Sequence, residues 1–203
     1  MGTREHWRSV YEAKRPDQVS WFQASPAPSL AALDRIGATA DTALVDVGAG
    51  ASTLADALLE RGWSDITLLD IAEPALEATR ARLGERARTI RFETADIRHW
   101  RPDRSFDIWH DRAVFHFLTD AAGRAAYQRA LADALRPGSH AIIATFALDG
   151  PEQCSGLPVQ RYDAAALATE LGPDFRLVDH WLEAHTTPWD AEQRFQWVVF
   201  RHG

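Results

Sequence analysis

Apolar runs and helical patterns take turns along residues 42–147. The stretches "TALVDVG" (42–48), "DITLLDI" (65–71), "TIRFETAD" (89–96), "SFDIWHD" (105–111) and "SHAIIATFA" (139–147) are short and apolar and read as strands. Between them, "STLADALLERG" and "AEPALEATRARLGERA" place apolar residues at helical spacing, and "DAAGRAAYQRALADALRPG" ends on the Pro-Gly pair that stops a helix. Such alternation predicts right-handed crossovers and a parallel sheet covered on both faces, with ligands at the carboxyl ends of its strands. Gly48, Asp70, Asp96 and Asp111 then share one edge.

After residue 147 the pattern changes. A loop, "LDGPEQCSGLPVQRYD", leads to a short helical "DAAALATELG" and then to "FRLVDHWLEAH" and "QRFQWVVFRH", which read as an antiparallel pair added to the sheet. The expected architecture is α/β: a doubly wound, mostly parallel seven-stranded sheet with a C-terminal antiparallel strand. One domain is expected over 1–203, with a cover segment at 1–30, an alternating strand–helix core at 42–147, and a loop and strand pair at 148–203. The cover segment holds a helix-like "REHWRSVYEAK", an aromatic "SWFQ" and the proline-marked turn "SPAPSL".

Composition narrows the classes. A chain of 203 residues, 46% hydrophobic and 25% charged, can bury one sizeable core. Its 22 basic and 29 acidic residues leave a formal charge of −7, and the basic ones are scattered, so no nucleic-acid partner is expected. Cys154 stands alone, which excludes an intrachain disulfide and a paired-cysteine knuckle; no metal is expected. The start lacks the apolar core of a signal peptide, and no run approaches the roughly 18 apolar residues of a spanning helix, so a cytoplasmic protein without a membrane partner is expected. Eight tryptophans exceed what such a core ordinarily takes, which points some of them at a pocket or lid.

The turn after the first strand carries Asp46, Gly48, Gly50 and Ser52, with Thr53 and Asp56 spaced as a capping box for the next helix. Glycine admits positive φ and lets a ligand approach without meeting a Cβ. Asp70 lies twenty residues past Gly50 at a strand end, where a carboxylate can accept both hydroxyl hydrogens of a ribose. A dinucleotide fingerprint would want glycine at position 53, where Thr53 stands, and this weakens the reading as a nicotinamide-dependent oxidoreductase. A non-catalytic cofactor-binding module is the alternative outside enzymes.

The turn "DVGAGAS" resembles that of the class I S-adenosylmethionine-dependent methyltransferases, acidic-x-Gly-x-Gly-x-Gly, with Ser52 replacing the last glycine. The resemblance runs from about Ala43 to Phe146 and implies methyl transfer from S-adenosylmethionine to a small-molecule or protein acceptor. It implies Asp46 and Gly48 near the donor's amino group, Gly50 near its ribose, Asp70 on the ribose hydroxyls and Ile71 on the adenine. "TADIRHW" resembles the motif after the third strand, which implies Asp96 on the adenine amino group and Ile97 beside the ring. Trp21 and Asp111 are also counted as cofactor residues, Trp21 within a cover formed with Trp7, Tyr11 and Phe22.

Transfer from a sulfonium is an in-line displacement that needs alignment, exclusion of water and a deprotonated nucleophile. The segment "WHDRAVFHFL", which lies beside the methyl donor in the resembling family, supplies His110, Asp111, Arg112 and His116. His110, Asp111 and His116 are the catalytic candidates, the histidines because imidazole titrates near neutrality; stiffening the loop is the alternative role. The run "DRAV" at 111–114 also stands where small methyltransferase-like protein-lysine methyltransferases carry Asp-Lys-Gly-Thr, a partial resemblance. Cys154 is expected as a buried small hydrophobe rather than a ligand for a soft acceptor, and Tyr162, His185 and Trp189 are candidates for the rim.

Overall fold

The structure is a computed structural model and describes residues 2–203. The expected strands form as β1 (Leu44–Val47), β2 (Ile66–Asp70), β3 (Ile90–Thr94), β4 (Phe106–Arg112) and β5 (Leu135–Phe146). A small hairpin, β6 (Gln153–Cys154) and β7 (Leu157–Pro158), lies within the stretch read as a loop, and β8 (Phe175–Thr186) and β9 (Glu192–His202) follow. Seven strands join in the order β3-β2-β1-β4-β5-β9-β8. The first five pair in parallel, whereas β9 runs antiparallel to both β5 and β8. The last strand thus inserts inside its partner, and β9 alone opposes the rest of the sheet.

Helices α1 (Arg4–Ala13), α2 (Ala27–Arg35), α3 (Leu54–Glu60), α4 (Glu73–Leu83), α5 (Ala121–Ala134) and α6 (Ala164–Leu171) cover the sheet. Thr3, Asp120 and Asp163 cap three of them by accepting the N–H groups of His6, Gly123 and Ala166. The capping box expected at Thr53 does not form: the Thr53 hydroxyl has no partner, and Ser52 Oγ instead accepts the Leu54 N–H at 3.1 Å. Asp56, the other half of that box, is drawn away to Arg82 at 2.8 Å.

Period-two alternation builds the two halves of the core. Leu44, Ile66, Leu68, Ile108 and Ile142 pack on the side of α1 to α4; Val45, Leu69, Trp109 and Ile143 pack on the side of α5 and α6. The strand order reverses between β1 and β4, which opens a crevice at their carboxyl ends. Among the described residues, no helix is long and apolar enough to cross a membrane, and no group of three or more His, Cys, Asp or Glu is placed to hold a metal ion.

Candidate active site

The turn that leaves β1 is held in left-handed backbone by Gly48 (φ +67°) and Gly50 (φ +56°). A Cβ on Gly48 would collide with Val114 Cγ2, and one on Gly50 would lie 2.5 Å from the Tyr11 hydroxyl. The turn is braced from behind by α4. Thr79 Oγ1 donates to the Gly50 carbonyl at 3.2 Å, and Arg82 donates to the carbonyls of Ala51 and Ser52 at 3.0 and 2.6 Å. Neither residue announces this in the sequence, where both read as ordinary members of a helix.

Asp70 closes the turn on its other side. Its Oδ2 accepts the Gly50 N–H at 2.8 Å and its Oδ1 accepts the Ala72 N–H at 2.7 Å, so each oxygen holds one donor and keeps a lone pair. Burial pushes its pKa up to about 6 against the downward pull of those N–H bonds.

Two pockets that share part of their wall form the two lobes of a site over this edge. The first, with an empty volume of about 640 Å³, is lined by Leu69, Asp70, Ile71, Ala95 and Ile97, and by Cys154. The second, about 630 Å³, takes in Phe22, Asp46, Ser52, Thr53 and His110. Tyr11, Trp21, Gly48 and Arg112 line both. Trp7 forms edge contacts with Trp21 and Phe117, with ring centroids at 5.9 and 5.0 Å, and aromatics of the N-terminal segment line the cavity.

Of the nine cofactor candidates, Trp21, Asp46, Gly48, Asp70, Ile71 and Ile97 line the cavity, and Gly50 is tied to it through Asp70. Asp96 is not in the lining. Burial pushes its pKa up, but bonds from the Arg98 side chain at 2.5 Å and the Arg98 N–H at 2.9 Å outweigh this and hold it below the usual range. Asp111 is also outside, contrary to expectation, because it is fully buried on the α5 side of β4. Its Oδ1 accepts the Val114 N–H at 2.8 Å, and its Oδ2 accepts the Phe115 N–H at 3.1 Å and the Tyr127 hydroxyl at 2.6 Å.

The two histidines expected as bases are both committed to the fold. His110 Nδ1 lies 2.7 Å from Asp46 Oδ1 and its Nε2 lies 3.0 Å from Ser29 Oγ, so both ring nitrogens are engaged. His116 lines neither lobe. Its Nδ1 accepts the Phe146 N–H at 3.3 Å, and burial, with the charge of Arg112 as a lesser cause, lowers its pKa to about 3. The folded pKa is thus depressed, so this histidine's contribution to stability is complete above pH 6.5 and is lost as pH falls toward 3. The loss is about 1.4 kcal/mol per pH unit. Urea unfolding of His116→Phe should therefore show a shallower acid decline than the parent chain, by roughly 2 kcal/mol between pH 7.5 and 5. Parallel declines would mean that the imidazole charges freely in the folded state.

The remaining candidates divide plainly. Cys154 is buried in the cavity wall, and burial pushes its thiol up to about 11. Tyr162 is buried against Phe115, His185 Nε2 holds the Ser20 carbonyl at 2.7 Å, and Trp189 is 57% exposed in the turn between β8 and β9; none of the three is in the lining. Ala113 takes φ +75°, a strained conformation for a residue that carries a Cβ.

Residues 44–138 match the family model of a methyltransferase domain. No curated protein matches the chain by sequence. Among solved structures, a methyltransferase from Anabaena variabilis described as S-adenosylmethionine-dependent superposes with a TM-score of 0.78 at 14% identity, over 100% of this chain and 96% of its own. The 1,6-didemethyltoxoflavin-N1-methyltransferase of Burkholderia thailandensis, solved with 1,6-didemethyltoxoflavin and S-adenosylhomocysteine, is 22% identical with a TM-score of 0.76, over 98% and 86%. A structure concerned with the conversion of a disulfide bond into a thioacetal group during echinomycin biosynthesis is 24% identical, with a TM-score of 0.76 over 98% and 93%. The sheet is thus the Rossmann-like methyltransferase fold. With the domain match, residues 44–138 read as a methyltransferase domain set in that fold.

Proposed function

We propose that the first lobe receives the adenosine of S-adenosylmethionine, that the second receives its amino-acid tail, and that the acceptor is a small molecule. The observation that carries this is Asp70, whose two oxygens each keep a lone pair at the cavity wall after taking one backbone N–H. Two such acceptors suit two vicinal ribose hydroxyls. Ile71 and Ile97 offer apolar faces to the adenine, and Gly48 brings bare backbone to the ligand. Asp46 faces the amino group, with its carboxylate oriented by His110, which Ser29 orients in turn. Gly50 acts through Asp70, Trp21 closes the wall, and Asp96 reaches an adenine amino group only by loosening its hold on Arg98.

The donor, when bound, supplies a methyl group already activated by sulfonium charge. What remains to the chain is alignment and exclusion of water, with the acceptor atom entering already free of its proton. Trp7, Tyr11 and Trp21 serve both, which makes residues 1–30 a cover on the donor core at 42–147, with 148–203 on the acceptor side. His110, Asp111 and His116 are positioning residues: His110 and Asp111 spend their polar atoms on the fold, and His116 is buried outside both lobes with Nδ1 on the Phe146 N–H and Nε2 unpartnered. A roofed cavity suits a small acceptor better than a protein side chain, and Val114 packs into the space beside Gly48. A cytoplasmic setting goes with a chain whose one cysteine is a buried thiol. Calorimetric titration tests the donor: S-adenosylhomocysteine is expected to bind and NAD is not. Binding of NAD alone would overturn the assignment.

A further inference from the structure

We propose that Arg112 is the anchor for the acceptor, and that the acceptor is a compact, apolar-bodied carboxylate. Arg112 is the last residue of β4 and lines both lobes of the cavity. Its Nη1 donates to the Trp21 carbonyl at 2.9 Å, and its Cζ lies 4.7 Å from the centroid of the Phe195 ring. These contacts fix the plane of the guanidinium. Its Nε and Nη2 are cut off from water and pair with nothing.

Those two nitrogens lie along one edge of the guanidinium fork, the edge that binds a carboxylate through two parallel N–H bonds. Buried donors of a charged group are costly to leave unmade, so the edge is built for an anion that arrives with the ligand. Among the described residues no carboxylate pairs with that edge. Glu183 is the acidic group whose charge acts on Arg112, yet its own oxygens accept Gln23 Nε2 at 2.9 Å and Trp197 Nε1 at 2.5 Å. The Cys154 thiol, raised to about 11, stays neutral. Burial lowers the Arg112 pKa only to about 10, so it is a cation at neutral pH.

Besides Asp70, Ile71 and Ile97, which are given to the adenosine, the first lobe holds Trp7, Trp21, Ala113 and Phe117, and these suit an aromatic or apolar body attached to that carboxylate. The donor's tail has an unpaired partner of its own in the second lobe, the Thr53 hydroxyl. The inference rests on the donor reading given above, and the experiment separates the two.

Wild-type protein is first titrated with S-adenosylhomocysteine, and failure to bind would sink the donor reading before Arg112 is involved. The saturated complex is then titrated with benzoate and with neutral benzamide. Benzoate is expected to bind at least about tenfold more tightly, and Arg112→Gln is expected to erase that preference in the complex saturated with S-adenosylhomocysteine. Arg112→Lys, which keeps the charge and loses the fork, should restore part of the preference. Benzoate no tighter than benzamide on the wild type would overturn the proposal. So would an Arg112→Gln variant that keeps its benzoate affinity and loses that for S-adenosylhomocysteine, because the guanidinium would then serve the donor's own carboxylate.

Discussion

Asp70→Asn is expected to weaken S-adenosylhomocysteine binding by about 100-fold or more, measured by calorimetry at pH 7.5. Two hydrogen bonds from ribose hydroxyls to a charged carboxylate are each worth about 1.5–3 kcal/mol, and tenfold in affinity is about 1.4 kcal/mol. The amide also replaces one acceptor by a donor, which must then face the N–H of either Gly50 or Ala72. Either clash loosens the turn that places Gly48. Affinity within about threefold of wild type would remove Asp70 from the ribose contact.

The same residue sets the pH dependence of binding. In the free protein its pKa stands at about 6, above the ordinary carboxylate value, so the folded state holds a proton that the unfolded chain has released between about pH 4 and 6. Asp70 therefore contributes less stability as pH rises through that window. Ligand binding runs the other way, since the ribose hydroxyls favour the charged form. Affinity should fall as pH drops through about 6, a trend that Asp70→Asn should lack.

Much of this site was legible because periodicity and strand ends are local properties. Of the four residues that alternation puts on one edge, Gly48 and Asp70 line the cavity and Asp96 and Asp111 do not; Asp46 and Ile97, implied by the resemblance, line it, as do the aromatics at 7, 11, 21 and 22. The "WHDR" cluster was harder to read because neighbours on a strand face opposite ways. Asp46 lies beside His110 in the β1–β4 register, so His110 and Arg112 face the cavity side while Trp109 and Asp111 face α5. That parity was present in the sequence and would have removed Asp111 from the donor contacts. The insertion of β9 inside β8 leaves no such trace, because an antiparallel pair can be added to an edge in either order. The bracing of the glycine turn by Thr79 and Arg82 depends on how α4 approaches, which is a tertiary fact.

Asp111→Ala should cost about 4 kcal/mol of folding free energy, read from urea midpoints, for a reason unrelated to methyl transfer. The carboxylate satisfies the N–H groups of Val114 and Phe115 and the hydroxyl of Tyr127, which itself accepts Trp109 Nε1 at 2.8 Å. Truncation leaves two buried donors and one partly buried donor unpaired, at about 1–3 kcal/mol for each buried one. Asp111→Asn, which keeps one acceptor in place, should lose less than half as much. These bonds bend the chain straight after β4. They hold Ala113 in its strained backbone, Val114 against Gly48 and Arg112 in the cavity wall, so Asp111 shapes the site from the far side of the sheet. If Asp111→Ala instead keeps its stability within about 1 kcal/mol and loses turnover, the carboxylate acts in the chemistry and the geometry of β4 has been misjudged.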